Sequence, residues 1–232
     1  MKLFCIPHLG GYSSSFASWK NKMDSSISIY PLELPGRGVR MLEPLCEDFN
    51  CAVQDLYEVI IQTLSKGERY AILGHSMGAL LAYELAILIQ NSAIQQPDIL
   101  FISGRYPPHI ILDEPGLNDL KDEDILQYLF KFNGISKDFI VSQELQRIFL
   151  PILKMDYKLL ANYTPRVVTL NCSITVFGGN EDEGVKQEHL SEWQRYTTNE
   201  FNVHMLEGGH FFIIEEPESV IQRITKQLIR GK

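Results

Sequence analysis

Gly74-His75-Ser76-Met77-Gly78 joins two segments that leave it no room to be a loop. Before it, Tyr70-Ala71-Ile72-Leu73 is a short apolar, strand-like run; after it, Ala79-Leu80-Leu81-Ala82-Tyr83-Glu84-Leu85-Ala86 is strongly helix-forming. A chain that passes from strand to helix within one pentapeptide must turn sharply. The apex residue is forced into a sparsely allowed conformation, and the flanking glycines let strand and helix approach without a Cβ between them. A serine at such an apex has the form of a nucleophile elbow, which presents its hydroxyl for covalent acyl chemistry.

The rest of the chain repeats this strand-to-helix rhythm. Strands are expected at Leu3 to Ile6, near Ile27 to Leu32, at Ala71 to Leu73 and at Ile99 to Ser103, with a turn between the first two and another at Pro35-Gly36-Arg37-Gly38. Helices are expected from about Phe49 to Leu64 and from Ala79 to Gln90. Strand pattern returns at Ile174 to Phe177 and Phe201 to Leu206, with helices at about Gln187 to Tyr196 and Pro217 to Leu228. Short, continuously apolar strands alternating with helices predict an α/β fold: a mostly parallel sheet covered by helices on both faces, with the active site at the carboxyl strand ends. From about 107 to 165 the rhythm gives way to helical patterning, including Ile125/Leu126/Leu129/Phe130 and, around a proline, Ile148/Phe149/Ile152/Leu153. This stretch is read as a helical lid insertion in a single domain spanning 1–232.

Composition removes several classes. A formal net charge of -8 offers no basic stripe for nucleic acid or an anionic membrane. The most apolar helical stretch, Ala79 to Ile89, is too short to span a bilayer and carries Glu84. The amino terminus reads as a first strand rather than a signal peptide, so cytoplasmic residence is expected. Cys5, Cys46, Cys51 and Cys172 have neither C-x-x-C nor zinc-ligand spacing, which predicts four free thiols and no metal.

A serine nucleophile needs a base, and the base an orienting carboxylate. In α/β hydrolases these follow in the order Ser, Asp/Glu, His. His210, in Gly208-Gly209-His210 after a strand, is the base that fits this order; His8 and His109 lie upstream of the acid, and His189 and His204 lie inside elements. Asp182 is chosen as the acid, with Glu181 second and Glu183 a further competitor. The oxyanion of a tetrahedral intermediate needs two backbone donors. Met77 N–H, at the positive end of a helix, is one. The turn Pro7-His8-Leu9-Gly10-Gly11 supplies the other, with Leu9 the candidate and His8 the fallback.

Taken together these segments resemble the stand-alone type II thioesterases associated with nonribosomal peptide and polyketide synthases. Beside the GHSMG elbow, Ile6 to Gly11 is similar to that family's P-x-A-G-G loop, and Leu34 to Gly38 to its PGRG segment. Ser103 to His109 is similar to its SGR-x-x-P-H segment, Asn162 to Arg166 to the end of its lid, and Gly178 to Asp182 and Gly208 to Phe212 to its acid and base loops. Leu9 stands where many relatives have alanine, which narrows the expected mouth.

The resemblance implies an α/β-hydrolase fold with Ser76, Asp182 and His210 as the triad and Met77 and Leu9 as oxyanion donors. It implies hydrolysis of acyl thioesters from the phosphopantetheine arm of acyl or peptidyl carrier proteins, by a monomer that needs no cofactor of its own. Arg37, Arg40 and Arg105 are candidates for meeting the phosphopantetheine phosphate. Rival readings are a small serine esterase acting on free oxoesters, a chain-terminating or cyclising thioesterase domain, disfavoured because the chain starts at its first strand, and a catalytically silent binding protein on the same fold.

Overall fold

The computed structural model describes residues 1–110 and 142–230. Its centre is a six-stranded sheet in the order β2-β1-β3-β4-β5-β6, parallel throughout. The strands are β1 (Lys2–Ile6), β2 (Ser28–Pro31), β3 (Tyr70–His75), β4 (Ile99–Ser103), β5 (Ser173–Gly179) and β6 (Phe201–Leu206). Every residue of β3 is buried, as a strand covered on both faces requires, whereas edge strand β2 alternates between exposed and half-buried.

Two cores lie on opposite faces of the sheet. One receives α1 (Phe49–Thr63) and α2 (Met77–Gln90), joined by Trp193 and Tyr196 from a 3-10 turn at Glu192–Tyr196. Helix α1 presents Phe49, Ala52, Val53, Leu56 and Ile60 inward at helical spacing, and the Asp48 carboxylate caps its first turn by accepting from Cys51 N–H at 2.8 Å. Helix α2 is buried nearly all round, which explains its apolar sequence. Its one charged side chain, Glu84, accepts from Tyr163 Oη at 2.7 Å and from the Arg166 guanidinium, Nε lying at 2.8 Å. The Asn162-to-Arg166 segment is thereby pinned to α2.

The other face packs Phe16 and Trp19, the short helix α5 (Phe212–Glu215) and α6 (Pro217–Arg230), whose Val220, Ile221, Ile224 and Leu228 point inward. Phe16 and Trp19 belong to a 3-10 helix at Ser13–Asn21, where the sequence predicted only a turn. Repetition at the third residue, not helical amphipathicity, holds that segment, so no 3.6-residue stripe marks it in the sequence.

Between β4 and β5 the described part of the expected lid is α3 (Gln143–Ala161), capped by the Ser142 hydroxyl. It runs through Pro151, whose ring lies on the exposed side. The expected helix around Ile125, Leu126, Leu129 and Phe130 lies outside the described residues. The helix expected at about Gln187 to Tyr196 is divided into α4 (Gln187–Ser191) and the 3-10 turn. All four cysteines are free, and burial pushes the thiols of Cys5 and Cys172 upward. No helix among the described residues is long and apolar enough to cross a membrane.

The strand order sets where a site can form. From β1 the chain moves outward to β2, then returns past β1 to β3 and continues the other way. The connections leaving the carboxyl ends of β1 and β3 therefore diverge, opening a crevice at this switch point. The Pro7-to-Gly11 turn leaves one strand, and Ser76 leaves the other.

Candidate active site

Ser76 sits at φ 55° and ψ −116°, and among the described residues no other residue than glycine has a positive φ. The glycines around it have the steric role expected of them. A Cβ on Gly74 would lie 2.0 Å from the carbonyl oxygen of Gly78, and one on Gly78 would lie 2.4 Å from those of Ile6 and Pro7. Strand β3, the start of α2 and the end of β1 touch through backbone alone. Ser76 N–H donates to Ser103 O at 2.8 Å, tying the apex to β4.

Asp182 and His210 arrive from the ends of β5 and β6. Asn180 N–H donates to Leu206 O at 2.8 Å and Glu181 N–H to Gly208 O at 3.0 Å, while a Cβ on Gly179 would lie 2.4 Å from Gly208 O and Gly209 O. The two loops are thus pressed together. Asp182 is buried, with Oδ1 accepting from Gly184 N–H at 2.9 Å and Oδ2 facing His210 Nδ1 at 2.6 Å. The other ring nitrogen, Nε2, lies 3.0 Å from Ser76 Oγ. Glu181 and Glu183 are exposed, so of the three competing carboxylates only Asp182 reaches the imidazole. The arrangement can draw a proton from a hydroxyl, hold it on an imidazole and stabilise the resulting charge.

The expected donor turn also lies at the site. Gly11 N–H donates to His8 O at 2.9 Å, closing a β-turn in which Gly10 has φ +69°. Among the described residues Leu9 N–H donates to no carbonyl or side chain. Met77 N–H is the first of the orphan donors of α2.

Two further histidines pack around His210. His75 is fully buried, its Nδ1 3.0 Å from Ser103 Oγ, and burial is the first cause holding it well below the usual imidazole range, with His210 and His8 adding to it. Burial, then His210 and Arg37, lower His8 to about 4. Both rings are neutral at physiological pH and meet Phe211 edge-on. Gly104, of the Ser103-to-His109 segment, has φ +61°; a Cβ there would stand 2.7 Å from His75 Cε1 and 3.4 Å from His210 Cε1. That segment makes room for the rings. Among the described residues no three His, Cys, Asp or Glu side chains are gathered as metal ligands.

Two of the three candidate arginines are committed elsewhere, which corrects the sequence reading for Arg37 and Arg40. Arg37 is 2% exposed and grips Asp156 of α3 with Nη2 to Oδ1 at 2.6 Å and Nη1 to Oδ2 at 2.7 Å, so it cannot meet a phosphate in solvent. Arg40 donates to Glu43, to Asp55 and to Glu33 O, which commits its whole guanidinium. Arg105 lies over the Tyr106 ring at 4.3 Å. Sequence reasoning did not find Asp156, although a carboxylate between Leu153 and Tyr157 on an apolar helix face signals a buried partner. It also passed over His75 and Ser103.

The thioesterase domain profile matches residues 1–228. The gramicidin S biosynthesis protein GrsT of Aneurinibacillus migulanus is 35% identical over 232 residues, 98% of this chain and 89% of that protein. Linear gramicidin dehydrogenase LgrE of Brevibacillus parabrevis is 33% identical over 232 residues, 97% of this chain and 87% of that protein. The crystal structure of ClbQ, from the colibactin NRPS/PKS pathway, superposes with a TM-score of 0.92 at 33% identity, covering 99% of this chain and 97% of that one.

Proposed function

This chain belongs to the thioesterase domain family, and from that premise we propose that it is a type II enzyme hydrolysing acyl thioesters on the phosphopantetheine arm of carrier proteins. Its task is to free misacylated carriers in nonribosomal peptide or polyketide synthesis. The observation that carries this reading is the line from Asp182 Oδ2 through His210 to Ser76 Oγ, with spans of 2.6 and 3.0 Å, at the switch point of an α/β-hydrolase sheet. That GrsT is named for gramicidin S biosynthesis and ClbQ for an NRPS/PKS pathway supports a carrier-bound substrate. One relative is named a dehydrogenase; that name is not carried over, because the thioesterase domain match covers residues 1–228 of this chain.

In the proposed cycle His210 Nε2 takes the Ser76 proton as Oγ attacks the thioester carbonyl. The oxyanion is met by the N–H groups of Met77 and Leu9. The carbon–sulfur bond breaks and the pantetheine sulfur leaves with the proton from His210. Water then attacks the acyl-serine, giving its proton to His210, which returns it to Ser76 as the acid departs. Asp182, fixed by Gly184, holds the imidazole with Nε2 toward the serine and stabilises the imidazolium.

Ser76→Ala tests the reading, with carrier release followed by mass spectrometry. Turnover should fall by at least about 10³-fold while the fold is kept; a variant retaining most of its activity removes Ser76 from the mechanism. Comparing acyl carriers, acyl-pantetheine and p-nitrophenyl esters distinguishes the esterase, which would favour the free oxoester.

A further inference from the structure

Asp156 is a carboxylate with no exposed surface on the apolar face of α3, between Leu153 and Tyr157. Its ion pair with Arg37 explains how it is tolerated, not why it is there: a buried pair of this kind adds little net stability over apolar side chains of similar size. What an apolar pair could not do is accept a third hydrogen bond. Oδ2 receives Gly10 N–H at 2.7 Å as well as Arg37 Nη1.

Gly10 is the third residue of the turn that carries Leu9. Turns closed by the same outer hydrogen bond have two arrangements, differing in which way the central peptide faces, and the one with positive φ at the third residue is the one present. The central peptide here is Leu9 C=O with Gly10 N–H, so Asp156 holds the group that would swing. His8 C=O, which shares its peptide plane with Leu9 N–H, is held by Gly11 N–H. Helix α3 meets the same turn once more, where Leu153 Cδ2 occupies the space 2.3 Å from where a Gly10 Cβ would stand, and it meets the residue after the turn's end, Phe149 packing edge-on against Tyr12 at 5.5 Å between centroids.

We infer that Asp156, braced by Arg37, is a positioning residue for the oxyanion turn, so that α3 fixes the arrangement of the turn on which the Leu9 N–H is carried. The inference rests on the reading of Ser76 as nucleophile and Leu9 as oxyanion donor. Asp156 touches neither substrate nor the reacting atoms; it acts through Gly10.

Two double variants and one measurement on the intact pair test it. R37M/D156L removes both charges and the acceptor together, and R37M/D156N keeps an oxygen for Gly10 N–H. With acyl-pantetheine as substrate, R37M/D156L should lose about 10- to 100-fold in kcat with KM little changed, and R37M/D156N should recover most of that loss. Equal losses in the two variants, or a folded R37M/D156L within twofold of the parent kcat, would overturn the inference. In the S76A protein the Gly10 amide proton should exchange slowly and resonate downfield, as a donor to a carboxylate does; free exchange there would overturn it even if R37M/D156L failed to fold. Activity remaining in S76A would instead sink the reading of the nucleophile, so the two failures are distinguishable.

Discussion

The imidazole of His75 lies 5.2 Å from that of His210, centroid to centroid, at 40° between planes, with its own Nδ1 against Ser103 Oγ. Burial keeps the His75 ring neutral beside that of His210. An acid limb of kcat/KM at about pH 6 should have unit slope, because burial keeps the His75 and His8 rings neutral there. A slope of two in the logarithmic profile would mean that a second ring titrates.

Ser103→Ala leaves a polar atom of a fully buried ring without its partner. The loss should be about 1–3 kcal/mol of stability, read from urea unfolding.

His8 links acid to unfolding. The unfolded chain takes up its proton near 6.5, whereas the folded one holds out to about 4, chiefly because the ring is buried. This contribution is complete above pH 6.5 and is lost as pH falls toward 4, about 3 kcal/mol in all. His8→Gln should flatten the stability-against-pH curve across that window. An unchanged curve would show that the ring is not protected.

Tyr163→Phe removes a donor from Glu84, whose side chain is 4% exposed in α2. The expected destabilisation is about 1.5–3 kcal/mol, since the acceptor is charged and buried. Chemical denaturation of the purified variant measures it.

Two glycines near the site should differ widely in their tolerance of a methyl group. Gly78→Ala drives a Cβ to 2.4 Å from two backbone carbonyls that cannot yield, so loss of several kcal/mol or failure to fold is expected. At Gly209 a Cβ meets nothing within 4 Å, and its φ is not in the left-handed region. Gly209→Ala should change stability by less than about 1 kcal/mol. Thermal unfolding of both variants compares them directly.

Alternation of apolar runs with helices made the parallel sheet legible, because strands covered on both faces and helices that cover them are each marked by local composition. The alignment of Ser76, His210 and Asp182 was legible for a different reason: each follows a strand, and chain order restricts the search. What escaped was long-range and polar. Arg37 reads as a surface charge until its partner is known, and Asp156 is 119 residues away in sequence. The 3-10 segment at Ser13–Asn21 escaped because its two core rings, Phe16 and Trp19, are too few to set a period.

Ile6 and Gly74 are register partners in adjacent strands. Leu9 and Ser76 leave the sheet a few residues beyond them, so one ladder of hydrogen bonds works as a ruler between the Ser76 hydroxyl and the turn. Helix α3 lies between β4 and β5 in sequence, so its hold on Gly10 ties that ruler to a part of the chain that the ladder between β1 and β3 does not reach.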